Sequence, residues 1–233
     1  MIQDWRKKFN QPLPFFFVQI AAYAPGGMTW PAQQIAQTAA LRLPNVGMAS
    51  AIDLGDPTSP DGDIHPRDKQ SVGNRLMLSI VDIVYGSDVV SVGPVPDNMS
   101  VTYGTNQNVT VTFTFPDGLA NSQLHFEGTE ACSFNFTGGC CDQIPFEIID
   151  SNNVWHRAGS VEIDGLQVTV TGPMLPFGVK VDVVTYSFQP YAQCCLYNAA
   201  GLPMTPIYSN ITHAARAAPS LHKHRIVLKD ESM

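Results

Sequence analysis

Two patterns of apolar and polar positions divide the chain. In the first, running to about residue 86, short apolar runs alternate with stretches of helical period. FFFVQI at 15–20 is a continuous apolar run, the pattern of a short buried strand. Beyond it, Ile35, Ala39 and Leu43 fall on one face and predict a helix from Thr29 to about Leu43. Thr29 is placed to cap this helix, Pro31 suits its first turn, and Pro44-Asn45 breaks it. GMASAIDL at 47–54 predicts a second strand, followed by a Gly/Asp/Pro loop from Gly55 to Pro66. Val72, Leu76, Ile80 and Ile83 or Val84 recur at helical spacing and predict a helix from about Arg67 to Tyr85, ended by Gly86. Residues 2–8 read as the end of one more helix. Strand, helix, strand, helix is the order of a parallel sheet covered by helices.

After Gly86 the period changes to two. NVTVTFTF at 108–115, SVEID at 160–164, LQVTVT at 166–171 and VKVDVVTYSF at 179–188 alternate along their length. PDG at 116–118, FTGG at 136–139 and DG at 164–165 are turn signals between such runs, and Asp164-Gly165 predicts a hairpin. The fold class expected is therefore α/β followed by an antiparallel β-sandwich. The expected organisation is an α/β unit over 1–88, a β-sandwich with its closing segment over 89–211, and a loosely ordered tail over 212–233.

Composition narrows the partners. The formal net charge is -7, and the short basic clusters Arg6-Lys7-Lys8 and HKHR at 222–225 do not offset it, so no nucleic-acid partner is expected. No apolar run has the roughly 18–20 residues of a membrane-spanning helix. The N-terminus imitates a signal peptide, with Ala22-Tyr23-Ala24 in the place of a cleavage site. Pro12, Pro14 and Gln19 interrupt its apolar part, and the strand reading of FFFVQI is preferred.

Cys132, Cys140, Cys141, Cys194 and Cys195 do not form a zinc spacing and read better as disulfide partners, with one left over. Asn98, Asn108, Asn135 and Asn210 each open an N-x-S/T sequon and are candidate glycosylation sites. Sequons and clustered cysteines together suggest a secretory or lysosomal setting. Chance sequons and reduced thiols remain the plain alternative.

The candidate chemistry lies in the loop after the second strand, at the strand end where open α/β sheets place their sites. It carries Asp53, Asp56, Asp61, Asp63 and His65. A neutral imidazole there can take a proton from a serine hydroxyl while a carboxylate holds its other nitrogen. A histidine bonded to an aspartate purely to support the helix entry would have the same sequence. The acidic residues match no EF-hand spacing, and a solvated acidic turn is a simpler reading than a metal site. No metal or cofactor is expected. Arg67 can help position substrate or pair with Asp63 or Asp68, and Lys69 reads as a helix-surface residue. Trp155 and His156 read as packing or surface residues, His125 as a strand residue, and Tyr186, Phe188 and Tyr197 as sandwich core or cover.

PNVGMASAIDLGDPTSPDGDIHPRDKQSVGNRL, residues 44–76, closely resembles the C-terminal catalytic block of the sialate O-acetylesterases. MIQDWRKKF, WPAQQIAQTAAL and CCLYNAAGLPMTP are similar to further segments of that family. The resemblance covers about residues 1–210 and is most specific at DLGDP and IHPRDKQ. It implies an SGNH-type serine esterase that removes O-acetyl groups from sialic acids. In that family a serine attacks the ester carbonyl, a histidine is the base, and Gly, Asn or backbone donors hold the oxyanion. His65 matches the catalytic histidine. The position three residues before it, where many such enzymes carry the supporting acid, is Gly62 here. Asp63 is the first choice of acid, Asp56 the alternative, and a Ser-His dyad remains open.

The family's GQSNM-like nucleophile block has no match in this chain, and Gly55 to Ser59 only superficially resembles a GDS motif. The resemblance thus implies the C-terminal part of an esterase, with the nucleophile-bearing N-terminal half as an expected partner and an apolar sheet edge left open without it. It also implies an O-acetylated sialic acid or glycoconjugate as substrate. The alternative is a catalytically inactive truncated product or a glycan-facing β-sandwich module.

Overall fold

The first helix, α1 (Ile2–Phe9), leads into β1 (Phe15–Gln19). The structure, a computed structural model, describes residues 1–128, 144–192 and 194–211. Next come a 3-10 turn at Ala24–Gly26, α2 (Thr29–Thr38), a second 3-10 turn at Ala39–Arg42, β2 (Val46–Ser50) and α3 (Lys69–Tyr85). β1 and β2 pair in parallel, from Phe15 against Val46 to Gln19 against Ser50. Arg6 ties α1 to this sheet by donating to the carbonyls of Leu13 (2.8 Å) and Pro44 (2.8 Å).

The helix expected over 29–43 is shorter. It gives way to the 3-10 turn after Thr38, and Leu43 is already extended (ψ 142°), as a residue before proline prefers. Thr29 does not cap it: its hydroxyl donates back to the Gly26 carbonyl at 2.9 Å. α3 begins at Lys69, two residues later than expected, because the Asp68 side chain accepts from the Ser71 amide at 2.9 Å.

The face of α3 differs from the expected one. Val72, Leu76, Ile80 and Ile83 are only half-buried and Val84 is exposed, whereas Ser79 is buried. The Ser79 hydroxyl donates to the Met48 carbonyl at 3.2 Å. Gly47 permits this approach: a Cβ there would stand 2.8 Å from the Phe16 ring and 2.9 Å from the Ser79 Cβ. A small polar residue therefore sits where the strand passes closest, and the bulkier side chains flank it.

No strand among the described residues pairs with the outer edge of β1. Two glutamines of α2 occupy its C-terminal half instead. Gln37 donates to the Val18 carbonyl and accepts from the Ile20 amide, both at 3.0 Å. Its side-chain amide thus takes the place of a neighbouring peptide group. Gln34 donates to the Ile20 carbonyl at 3.0 Å, and the buried Gln19 amide bridges to the Gln34 carbonyl (2.8 Å) and the Ser50 hydroxyl (2.8 Å). The edge is polar and hydrogen-bonded at this end, where an apolar one was expected.

The remaining chain is antiparallel. Its strands are β3 (Asn98–Tyr103), β4 (Asn108–Thr114), β5 (His125–Gly128), β6 (Phe146–Asp150), β7 (Trp155–Arg157) and β8 (Ser160–Asp164). They are followed by β9 (Gln167–Met174), β10 (Val181–Tyr186), β11 (Cys194–Tyr197) and β12 (Ile207–Asn210). One four-stranded sheet has the order β3-β4-β9-β8 and another β12-β10-β6-β7, while β5 and β11 form a separate pair. The expected hairpin at Asp164-Gly165 joins β8 to β9, with Gly165 at φ 56°. Val109, Val111, Phe113, Val168 and Val170 of the first sheet meet Phe146, Ile148, Val184 and Tyr186 of the second in one buried core.

Cys194 is disulfide-bonded, and Cys195 is a free, buried thiol. Cys132, Cys140, Cys141, Asn135, the FTGG turn and the tail over 212–233 lie outside the described residues. No described helix is long and apolar enough to cross a membrane.

Phe113→Ala removes a fully buried ring from the shared core and is expected to lower stability by about 3–5 kcal/mol in urea unfolding. Gln37→Ala leaves the Val18 carbonyl and the Ile20 amide without this partner. We expect a loss of about 1–3 kcal/mol, with faster amide exchange at Ile20 as its local signature.

Candidate active site

Ile52 and Asp53 leave the end of β2 still buried, and they anchor the loop that follows. Asp53 faces Arg75, one turn before Ser79 on α3. The guanidinium donates to both carboxylate oxygens (2.6 and 2.7 Å) and to the Ser50 carbonyl (2.8 Å). Tyr197 of β11 donates to the same carboxylate at 2.9 Å. Only 12% of the Arg75 side chain and 4% of the Asp53 side chain meet solvent. Burial opposes the charge on Arg75, but the bonds to Asp53 outweigh it and raise its pKa. Burial, reinforced by the Asp53 charge, holds the Tyr197 hydroxyl and the adjacent Cys195 thiol well above their ordinary values, so both stay protonated and Cys195 is unsuited to be a nucleophile.

The closing segment grips the loop a second time. Ile52 packs with Ala192, Cys195 and Tyr197. At Gly55 a Cβ would fall 2.7 Å from the Tyr191 ring, so the loop passes flat beneath that ring only as glycine.

A second ion pair closes the loop on itself. Asp56 accepts from the Arg67 Nε (2.6 Å), Nη2 (2.8 Å) and backbone amide (3.1 Å). The Arg67 hydrogen bonds hold the Asp56 carboxyl well below the usual carboxylate range. Between these residues the backbone is braced internally. Ser59 Oγ donates to the His65 carbonyl at 2.6 Å, and the His65 amide donates to the Gly62 carbonyl at 2.9 Å. Gly62 takes φ 96°, a conformation that glycine adopts without strain, and Pro66 is buried behind the histidine.

This frame presents His65 outward. Its ring is exposed, and among the described residues no side chain hydrogen-bonds it. Asp63 is half-buried two residues away and makes no hydrogen bond to the imidazole. Asp56, the other candidate acid, is occupied by Arg67. Arg67 therefore pairs with Asp56, where Asp63 or Asp68 was expected. No serine hydroxyl among the described residues bonds to the His65 imidazole; that of Ser59 is turned to the His65 backbone carbonyl. Among the described residues no three His, Cys, Asp or Glu side chains gather as a metal site. The arrangement offers one accessible imidazole on a fixed loop, able to accept a proton from a group brought to it.

Arg75, Tyr191 and Tyr197 are the residues that sequence reasoning missed. Arg75 left one signal, a cation just before the apolar run Leu76-Met77-Leu78 of α3. The two tyrosines lie well over a hundred positions further on and left none.

His125 stacks on Tyr197 with ring centroids 5.8 Å apart, as a strand residue. His156 makes a separate pair with Asp150, Nε2 to Oδ2 at 2.8 Å. Asp150 is held below its ordinary pKa chiefly by that bond and also accepts from the Asn152 and Val154 amides, so the pair pins the β6–β7 turn.

Arg75→Ala strands a buried carboxylate and is expected to cost about 3–5 kcal/mol in urea unfolding. Tyr197→Phe should cost about 1–3 kcal/mol. Because its folded pKa is lowered, Asp56 contributes stability fully above its ordinary value of 3.8 and loses it as pH falls through the lowered folded value. The Arg67 Nε–H resonance should accordingly hold its position from neutral pH down to about 4 and move only in stronger acid.

No family model matches the chain. Sialate O-acetylesterases from Rattus norvegicus and Mus musculus are each 28% identical over 91% of the chain, which spans 40% of their length. The Homo sapiens sialate O-acetylesterase is 34% identical over 43% of the chain. The crystal structure of a carbohydrate acetylesterase from Xanthomonas citri superimposes with a TM-score of 0.69 at 27% identity, over 91% of this chain and 44% of that one. In sequence the chain is similar to sialate O-acetylesterases and in fold to a carbohydrate acetylesterase, and it spans less than half the length of each.

Proposed function

We propose that this chain is the histidine-bearing part of an SGNH-type ester hydrolase that removes O-acetyl groups from sugars, sialic acids among them. The observation that carries the reading is the exposed His65 imidazole on a loop braced by two ion pairs, at the carboxyl end of a parallel strand. In the proposed reaction the Nε2 or Nδ1 lone pair of His65 takes the proton of a serine hydroxyl as that oxygen attacks the acetyl carbonyl. His65 then returns the proton to the departing sugar oxygen. Water repeats the sequence to free acetate and regenerate the serine.

The serine comes from outside this chain's residues, on a segment docked beside the loop, and so do the oxyanion donors. Asp63 is not bonded to the ring, and a Ser-His dyad needs no such partner. The relatives, named for acetylated sugars and sialates, support the substrate class. A secretory or lysosomal setting is part of the proposal. It is supported by the disulfide at Cys194 and by the exposure of the described sequon asparagines Asn98, Asn108 and Asn210.

The test is acetate release from an O-acetylated sialic acid. The 233-residue chain alone is expected to match its His65→Ala variant. Joined to the portion of the Xanthomonas citri acetylesterase that it does not match, it should hydrolyse the ester, and His65→Ala should lower the rate by about 10³-fold or more. A folded, active chimera indifferent to His65→Ala overturns the assignment.

A further inference from the structure

The outer face of the sheet β12-β10-β6-β7 carries residues that neither the sandwich core nor the His65 loop uses. Strand register places Tyr208, Thr185, Glu147 and Arg157 in one transverse row. Asn210, Val183, Ile149 and Trp155 form the next row on the same face. Phe188, just past β10, bridges the two ends. Its ring lies 6.2 Å from Trp155, nearly parallel at 22°, and 5.0 Å from Tyr208. The three rings make a band across the width of the sheet. Trp155 is 42% and Tyr208 43% exposed, yet Ile149, Val183 and Thr185 on this face are buried. Polar groups border the band: the exposed Arg157 and Asn210, and Glu147, whose carboxyl burial pushes up in pKa.

We infer that this band is a carbohydrate-binding surface that receives the sugar chain of the substrate; the inference rests on the proposed esterase reading. A pyranose shows an apolar face of C–H groups rimmed by hydroxyls. An exposed aromatic ring beside hydrogen-bonding side chains matches both parts. A sialylated chain adds a carboxylate, for which Arg157 supplies the opposite charge.

The band also lies close along the chain to the candidate site. Phe188 is three residues from Tyr191, whose ring covers Gly55 at the base of the His65 loop. Tyr23 fixes this connection by donating its amide to the Pro190 carbonyl at 2.8 Å. Three residues span at most about 10 Å, the length of two sugar rings, so one glycan can lie on the band and extend towards the loop.

The test separates binding from hydrolysis. Unacetylated sialyllactose is titrated into the full chain and followed by calorimetry, beside Trp155→Ala, Tyr208→Ala and, as a control, Phe177→Ala, an exposed ring outside the band. Saturable binding is expected, weakened at least tenfold by either band substitution and unchanged by the control. Circular dichroism verifies the fold of each variant, and Trp155→Phe, which keeps a ring, should restore most of the affinity. Absence of saturable binding, or equal binding by the band variants, overturns the inference. Binding that follows this pattern in a protein whose chimera releases no acetate keeps the surface and removes only the esterase reading.

Discussion

The buried contact among Asp53, Arg75 and Tyr197 is what the arrangement of the site depends on. It joins three stretches distant in sequence: the end of β2, the middle of α3 and the closing strand β11. Each ionic partner is almost wholly removed from water, a cost several kcal/mol per ion that only close pairing and full hydrogen bonding offset. All the requirements are met together. Both carboxylate oxygens accept from the guanidinium, the tyrosine adds a third donor, and the spare guanidinium hydrogen reaches the Ser50 carbonyl. A charge pair held in this way tolerates little displacement, so the loop leaves β2 along a fixed line and the antiparallel region is held against the α/β region at that point.

From this anchor the loop is ordered in steps. Tyr191 lies on Gly55 and sets the path of the next residues. The Asp56–Arg67 pair closes the loop, and short backbone contacts within it turn His65 outward. The outer pair is more accessible to water than the inner one and contributes shape more than stability. This division is what the proposed role of His65 as a base requires: its ring is exposed, while the loop that carries it is fixed by other groups.

The same closing segment links the site to the outer face of the sandwich. Residues 188–192 run from the aromatic band past the loop, and β11 follows, where Cys195 and Leu196 are buried. The band on the sheet and the ring over Gly55 thus belong to one short stretch of chain.

Alternation and helical period alone determined the strands β1 and β2, the α3 helix, the β8–β9 hairpin and the change to antiparallel structure after Gly86. These follow from side-chain spacing within one element, a local property. The loop position of residue 65 beyond a strand was legible too, from the Gly/Asp/Pro run that follows β2. The tertiary structure decided the rest. Ser79, not the apolar stripe, meets β2, because Gly47 lets the helix approach there. Gln37 completes the strand edge with its side-chain amide. Of five acidic or histidine residues alike in sequence, Asp53 is buried, Asp56 is clasped by Arg67 and the His65 ring is left without a hydrogen bond. These assignments depend on which partner arrives from Arg67, Arg75, Tyr191 or Tyr197. No local pattern encodes a meeting between residues that far apart, since it exists only once the elements have packed.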